Sequence, residues 1–168
     1  MARGTQFLRT EREFRQRLET LTERQLALTE EAGSDIARLV ALLAAFKLYA
    51  FLFDFSVLCL RLKVVRLDLE LRPSDYENFL AEVEPSHPEL TTLAPSSREK
   101  LRQVSLRIFA EGGLLSETRN PTIVRPALPP AFVRCMLEDV PAYLAGFLVP
   151  DSEIKQLAGS PGLAHTAA

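Results

Sequence analysis

Apolar residues recur roughly every three to four positions along most of the chain, which is the period of an α-helix with one buried face. This spacing predicts helices over residues 5–31, 35–62, 75–84, 96–111, 130–138 and 140–148. Glycines and prolines lie where several of these helices should begin or end, at Gly33, Pro73, Pro85, Gly112 and Gly113. Ser74 and Ser96 are predicted N-caps, because each precedes a glutamate at capping-box spacing.

Two stretches lack the helical period. Residues 66–72 alternate apolar and polar side chains, which indicates an extended link after a helix end. Residues 116–130 are rich in proline and threonine and favour a Pro-rich arm or a short hairpin. We therefore predict an all-α fold, a compact bundle of about six to seven helices. One helical domain over 1–158 is expected, with lobes of about 5–71 and 72–158, followed by a frayed tail over 159–168.

The segment over residues 36–60 is apolar enough to resemble a membrane span. Arg38, Lys47 and Asp54 interrupt it, and a charge near the centre of a span costs roughly 2.5–3.5 kcal/mol on an insertion scale. A core helix covered by its neighbours explains the same pattern, so no membrane contact is expected. Asp54 should then pair with Lys47 or with an arginine from another helix.

Composition and charge exclude several classes of function. A net charge of −2 over 168 residues argues against a protein that coats nucleic acid with its whole surface, although a local basic patch remains compatible with it. Cys59 and Cys135 lie far apart as expected buried thiols, and His87 and His165 are expected at the surface. No metal-ligand spacing, nucleophile motif or phosphate loop is present. We therefore expect no cofactor, no metal and no enzymatic activity.

The feature of the sequence that points to a function is the basic helix over residues 96–111. On a helical wheel, Leu101, Val104 and Ile108 share one sector and are predicted to face the core. The opposite side carries cations and an amide that can contact phosphates or enter a major groove. With flanking arginines and one from the segment that follows, the candidate DNA-binding residues are Arg98, Lys100, Arg102, Gln103, Arg107 and Arg125.

The residues around this helix also carry a family resemblance. The run from Leu71 to Leu80 is similar to the L-x-P-S-D-Y-x-x-F segment of the BrxA proteins, which are components of BREX bacteriophage-exclusion systems. The resemblance continues through 87–90, 97–104 and 111–115. It implies an all-helical fold akin to NusB, a cytoplasmic location, DNA binding, a role in phage defence and no enzymatic activity. The family is also catalogued under an inner-membrane name, which the apolar segment over 36–60 explains.

The leading hypothesis is a non-enzymatic subunit of a BREX system that binds double-stranded DNA through the basic helix. One alternative is an adaptor between other BREX subunits without direct DNA contact, since the last two helices are apolar at Phe132, Met136, Leu137, Tyr143, Leu144 and Phe147. RNA binding in the manner of NusB is a further alternative, although the basic helix carries only Phe109 as an aromatic side chain on which a base could stack. A membrane protein is the least favoured hypothesis.

Overall fold

The computed structural model describes residues 12–31 and 33–159. In this part of the chain the regular structure is helical, which confirms the all-α prediction. The α-helices are α1 (12–19), α2 (Glu23–Glu31), α3 (Gly33–Leu48), α4 (Ala50–Val65, with a π-helical turn over Ser56–Leu60), α5 (Pro73–Val83), α6 (Pro95–Glu111), α7 (Pro130–Asp139) and α8 (Asp151–Gly159). Short 3₁₀ helices cover Pro88–Leu90 and Pro141–Phe147.

Aromatic rings from four helical segments form the centre of the core. Phe55 lies 5.4 Å from Phe109 between ring centroids, and Phe46 lies 5.5 Å from Phe147. All four rings are buried, and the surrounding apolar cluster extends from Ile36 to Val149. Buried aromatic pairs at these separations contribute dispersion and quadrupole attraction in addition to their loss of hydrated surface. Both predicted lobes contribute side chains to this one core.

The apolar segment forms two helices, so the prediction of one helix over 35–62 is wrong. The chain breaks at Tyr49, whose backbone is extended, and α3 and α4 meet at an angle of 113°. This bend brings Phe46 and Phe55 onto the same partner, Phe109. Among the described residues, no single helix is long and apolar enough to cross a membrane; α3 and α4 reach that length only as this bent pair.

The predicted first helix over 5–31 is also broken, between α1 and α2. Thr22 and Gln25 form a reciprocal capping box, in which the backbone N–H of each donates to the other's side chain at 3.2 Å. The break exposes the carbonyl of Thr20, which accepts a hydrogen bond from Lys47 at 3.0 Å. Gln25 accepts a second bond from Lys47 at 2.7 Å. The ammonium of Lys47, inside the apolar segment, is thus hydrogen-bonded to polar groups at the break between α1 and α2. Burial lowers the pKa of Lys47, although the negative charge of Asp139 opposes the shift.

The predicted pairing of Asp54 with Lys47 or an arginine is not found among the described residues. The carboxylate of Asp54 lies 3.2 Å from Nε2 of His87, which is half-buried against Phe51 rather than at the surface. The short 3₁₀ turn that follows His87 brings the imidazole back onto α4. His165 lies outside the described residues.

The link and the Pro-rich segment pair with each other. After α4 the chain bends at Leu67, where φ is 60°, and runs extended to Leu71. Ile123 donates a backbone hydrogen bond to Leu69 at 2.7 Å, and Val124 donates one to Leu114 at 2.9 Å. Residues 114–124 therefore form a short hairpin that packs on the body with Ile123 buried, rather than a projecting arm.

Candidate nucleic-acid interface

The basic helix α6 has the predicted end but a different start. Gly112 and Gly113 stop it, with Gly113 at a φ of 81° and Leu114 donating to the carbonyl of Phe109 at 2.9 Å, the pattern of a Schellman motif. The helix begins at Pro95, and no side chain caps it. The predicted cap at Ser96 is therefore wrong. Ser74 is likewise not the cap of α5, since the backbone N–H of Arg72 donates to Asp75 at 2.7 Å.

The buried face of α6 consists of Ser105, Leu106 and Phe109. Val104 is 38% exposed, and Leu101 and Ile108 lie only at the edge of the core, so the predicted core row is wrong at its centre. The buried face is displaced by roughly one residue step, about 100° around the helix. The reason is Phe109, whose ring is fully buried between Phe46 and Phe55 and thereby sets the rotation of the helix.

Lys100 and Arg107 occupy the face of α6 that points away from the core. Both are exposed, and neither makes a hydrogen bond or ion pair with another residue that the structure describes. They are two helical turns apart, roughly 10 Å along the axis. Val104 lies between them, and Glu111 follows Arg107 by one turn. We call Lys100 and Arg107 the outer pair.

The flanking arginine Arg98 serves the structure of the connection instead. Its guanidinium donates to Glu84 at 2.7 Å and to the carbonyl of Leu90 at 3.0 Å. These bonds join the start of α6 to the end of α5 and to the short turn between them. Arg98 is therefore a poor candidate for contact with an external anion.

Arg102 and Gln103 both bind Glu99, one turn earlier on α6. Arg102 donates from Nε at 2.9 Å and from Nη2 at 2.8 Å, and Gln103 donates at 2.8 Å. These hydrogen bonds, that of Arg102 first, lower the pKa of Glu99 to about 2. Glu99 is thus ionised at neutral pH and cancels the charge of Arg102.

Arg125 is placed apart from this face. It donates to Glu153 of α8 at 2.5 Å, which ties the end of the hairpin segment to the last described helix. Of the six predicted contact residues, the structure leaves Lys100 and Arg107 available and engages the other four in internal bonds.

A cleft beside α6 was not predicted as a site. It is lined by Arg72, Tyr76, Arg102, Thr118 and Arg119, among other residues, where the hairpin meets α5 and α6. Tyr76 belongs to the segment that resembles BrxA proteins, and this was the available signal for it. We call this site the Tyr76 cleft.

A second feature of the surface is apolar. Several leucines and valines on α4 and the link that follows are exposed, up to 87% at Leu67, and we name them the apolar row: Leu58, Leu62, Val65, Leu67 and Leu69. The apolar residues of α7 and of the 3₁₀ helix that follows it are buried instead: Phe132, Met136, Leu144 and Phe147 lie fully within the core. Those four residues therefore provide no exposed apolar surface for a partner, whereas Leu137 and Tyr143, which the adaptor hypothesis also named, are half-buried.

Within residues 12–31 and 33–159, no group of three or more His, Cys, Asp or Glu side chains is arranged to hold a metal ion. Cys59 and Cys135 are both buried, and burial raises their pKa, to about 12 for Cys59.

A family model described as BrxA matches residues 5–139, which is most of the chain. Comparisons with curated proteins and with solved structures gave no match.

Proposed function

The chain belongs to the BrxA family, and from this premise we propose that it is a non-enzymatic, cytoplasmic subunit of a BREX phage-defence system that binds double-stranded DNA through α6. Family membership gives the chain a BREX-related role. The observation that carries the proposed DNA contact is the outer pair. Lys100 and Arg107 are exposed on a rigid, core-anchored helix and have no acidic partner among the described residues.

The spacing of the outer pair suits a phosphate backbone. Two cations roughly 10 Å apart along one helix can reach two different phosphates on the same duplex. Gln103 and Val104 lie between them on this face, so no aromatic side chain obstructs the approach of the helix to a groove. Contacts of this kind position a protein on DNA without reading its sequence.

The internal pairing of the other cations limits the strength of this contact. Arg98 and Arg102 each bind a glutamate, so they add little to the field outside the protein. Two phosphate contacts should contribute a slope of about −1.8 to the dependence of log K on log salt. We therefore expect weak, salt-sensitive binding by one copy of the chain, with other BREX subunits supplying further contacts.

The experiment is a salt titration of duplex binding by the wild type and by the double variant Lys100→Ala, Arg107→Ala. The matched control removes one lysine and one arginine elsewhere, Arg66→Ala with Lys155→Ala, since both are exposed and distant from α6 in the sequence. The outer-pair variant should bind all duplex sequences more weakly, and its slope should be shallower by about 1.8.

The control variant should keep the wild-type slope. An equal loss of DNA affinity in both double variants would show that binding depends only on net charge and would exclude the outer pair as the interface. If single-stranded RNA displaces the bound duplex at a lower concentration than unlabelled duplex DNA does, RNA is favoured as the ligand, in the manner of NusB.

The apolar row favours a second candidate, an adaptor that contacts another BREX subunit through α4. Leu58, Leu62 and Val65 are exposed at helical spacing, and such a patch often marks a protein interface. The test is co-purification after nuclease treatment, with Leu62→Glu and Val65→Glu as the variant. Loss of a BREX subunit from the variant, with no affinity of the wild type for DNA at about 0.1 M salt, would establish the adaptor over the DNA-binding subunit.

A further inference from the structure

Leu67 combines backbone strain with exposure to solvent. It follows the C-cap of α4 with a φ of 60°, and its N–H donates to the carbonyl of Val64 at 3.0 Å. Asp68 donates to the carbonyl of Lys63 at 3.0 Å, which completes a Schellman motif. Glycine is usual at the position of Leu67, because a Cβ is strained in the left-handed region. The Leu67 side chain is 87% exposed, so no burial within the chain offsets this strain. A residue of this kind indicates a contact outside the chain.

The apolar row extends from Leu67 in both directions along the chain. Leu58, Leu62 and Val65 precede it at helical spacing on α4, and Leu69 follows it on the extended link. The row exposes on the order of 400 Å² of apolar surface, within the range of about 300–600 Å² for the largest patch of a monomer. Since roughly 57% of an ordinary interface is apolar, this area corresponds to about 700 Å² of contact per partner. A standard interface buries about 800 Å² per partner, so the row has the size of one stable contact.

The charged residues beside the row balance one another. Three cations and three anions lie at the end of α4, on the link and at the start of α5: Lys63, Arg66, Arg72, Asp68, Glu70 and Asp75. Lys63 binds Asp68 at 2.6 Å and Asp75 at 3.0 Å. Arg72 binds Glu70 at 2.7 Å. A surface without net charge does not repel a second copy of itself. It also has no excess of cations to attract a phosphate backbone or an anionic lipid surface.

We infer that the apolar row is the contact between two copies of this chain, with Leu67 as the residue that anchors each copy on the row of the other. In a two-fold contact the same surface meets itself, so each row covers the other. Burial of the Leu67 side chain in the dimer then offsets its strained conformation. The inference is independent of DNA binding, because the outer pair lies on α6. It assigns the row to a second copy, whereas the adaptor proposed above would assign it to another BREX subunit.

The test is sedimentation equilibrium of the full chain from about 1 to 200 µM, a range that brackets a micromolar Kd. The wild type should pass from a monomer of 18.8 kDa to a dimer of twice that mass. Leu67→Gly and Leu62→Glu should each weaken the dimer by at least roughly tenfold. The matched control is Phe14→Glu, because Phe14 is 62% exposed on α1 and lies outside the row. This control should dimerise like the wild type.

Thermal stability separates loss of the contact from loss of folding. Glycine adopts a φ of 60° without strain, so the Tm of Leu67→Gly, measured on dilute monomer, should equal that of the wild type or exceed it by up to about 4 °C. Weaker dimerisation with an undiminished Tm supports the inference. A Tm lowered by more than about 4 °C would show that Leu67 stabilises the single chain and would overturn its role as an anchor.

The mass measurements alone can also overturn the inference. A wild type that stays monomeric at about 200 µM would exclude the dimer. Equal weakening in Leu67→Gly, Leu62→Glu and Phe14→Glu would assign the association to exposed apolar surface in general. If a monomeric wild type retains a BREX subunit on co-purification and Leu67→Gly loses it, the row belongs to the adaptor contact and the second copy is excluded.

Discussion

The two faces of α6 differ in every property that decides what a side chain does. The inner face carries Ser105, Leu106 and Phe109, all buried, and Phe109 touches rings from both α3 and α4. The outer face carries Lys100 and Arg107, which are exposed and bind no described residue. One helix therefore separates the residues that hold the fold from those available to a ligand.

This difference teaches that the number of cations on a helix is a poor measure of its affinity for an anion. Arg98 and Arg102 belong to the same helix as the outer pair, yet each is neutralised by a glutamate within 3 Å. Burial on one side fixes the rotation of the helix, and internal pairing selects which charges remain for other molecules.

The largest expected effect is on the inner face. Phe109→Ala removes a fully buried ring and leaves a cavity between Phe46 and Phe55, so the free energy of unfolding should fall by about 3–5 kcal/mol. Denaturant titration followed by circular dichroism measures this change. A loss below 1 kcal/mol would mean that Phe109 does not anchor α6, and the contrast between the faces would fail.

The next effect concerns the end of the same helix. A Cβ on Gly112 would lie 2.7 Å from Cδ2 of Leu42, which is itself buried. Gly112→Ala should therefore cost about 1–3 kcal/mol through displacement of that leucine. The double variant with Leu42→Ala should recover part of the loss in the same denaturant assay, because the methyl group then has room. Additive losses would place the strain elsewhere.

The outer face should show the opposite behaviour. Lys100→Ala with Arg107→Ala removes no internal bond, so the free energy of unfolding should change by less than about 0.5 kcal/mol. Calorimetric melts beside those of Phe109→Ala measure the contrast directly. A destabilisation comparable to that of Gly112→Ala would show that the outer pair has structural partners.

The smallest expected effect concerns the titration of Glu99, whose carboxylate lies on the flank of α6 between the inner and outer faces. Arg102 and then Gln103 hold the pKa of Glu99 at about 2, so this carboxylate stabilises the fold above its ordinary pKa and loses that contribution as the pH falls toward 2. Arg102→Met should move the pKa of Glu99 back toward 4.5, the value without these bonds. NMR detection of the carboxylate carbon follows this shift. A midpoint that stays near 2 would assign the depression to groups other than Arg102.

Local rules predicted some helix boundaries correctly, missed both helix breaks and predicted the rotation of α6 poorly. Pro73 and the Gly112–Gly113 pair lie at helix boundaries because proline and glycine restrict the backbone itself. The displaced face of α6 depends on where Phe109 meets rings that are distant in sequence, and the wheel of one helix contains no such information.

The two helix breaks, near Thr22 and at Tyr49, could likewise be predicted from the sequence only in part. The capping box at Thr22 and Gln25 was visible in the sequence and could have located the first break. The break at Tyr49 has no glycine or proline beside it, since it arises from packing of α3 and α4 around a shared core. For the candidate interface, residue type predicted the cations, whereas the acidic partners of Arg98 and Arg125 became evident only in three dimensions.

Lysine acetylation with and without duplex DNA tests the central claim most directly. Lys47, Lys63, Lys100 and Lys155 are the lysines of the chain, and the first two are held in internal hydrogen bonds. Lys100 and Lys155 are both exposed, so each serves as a reference for the other. Mass spectrometry should show that DNA slows the acetylation of Lys100 several-fold and leaves that of Lys155 unchanged. Equal rates at Lys100 with and without DNA, or protection of Lys155 alone, would contradict DNA binding through the outer face of α6.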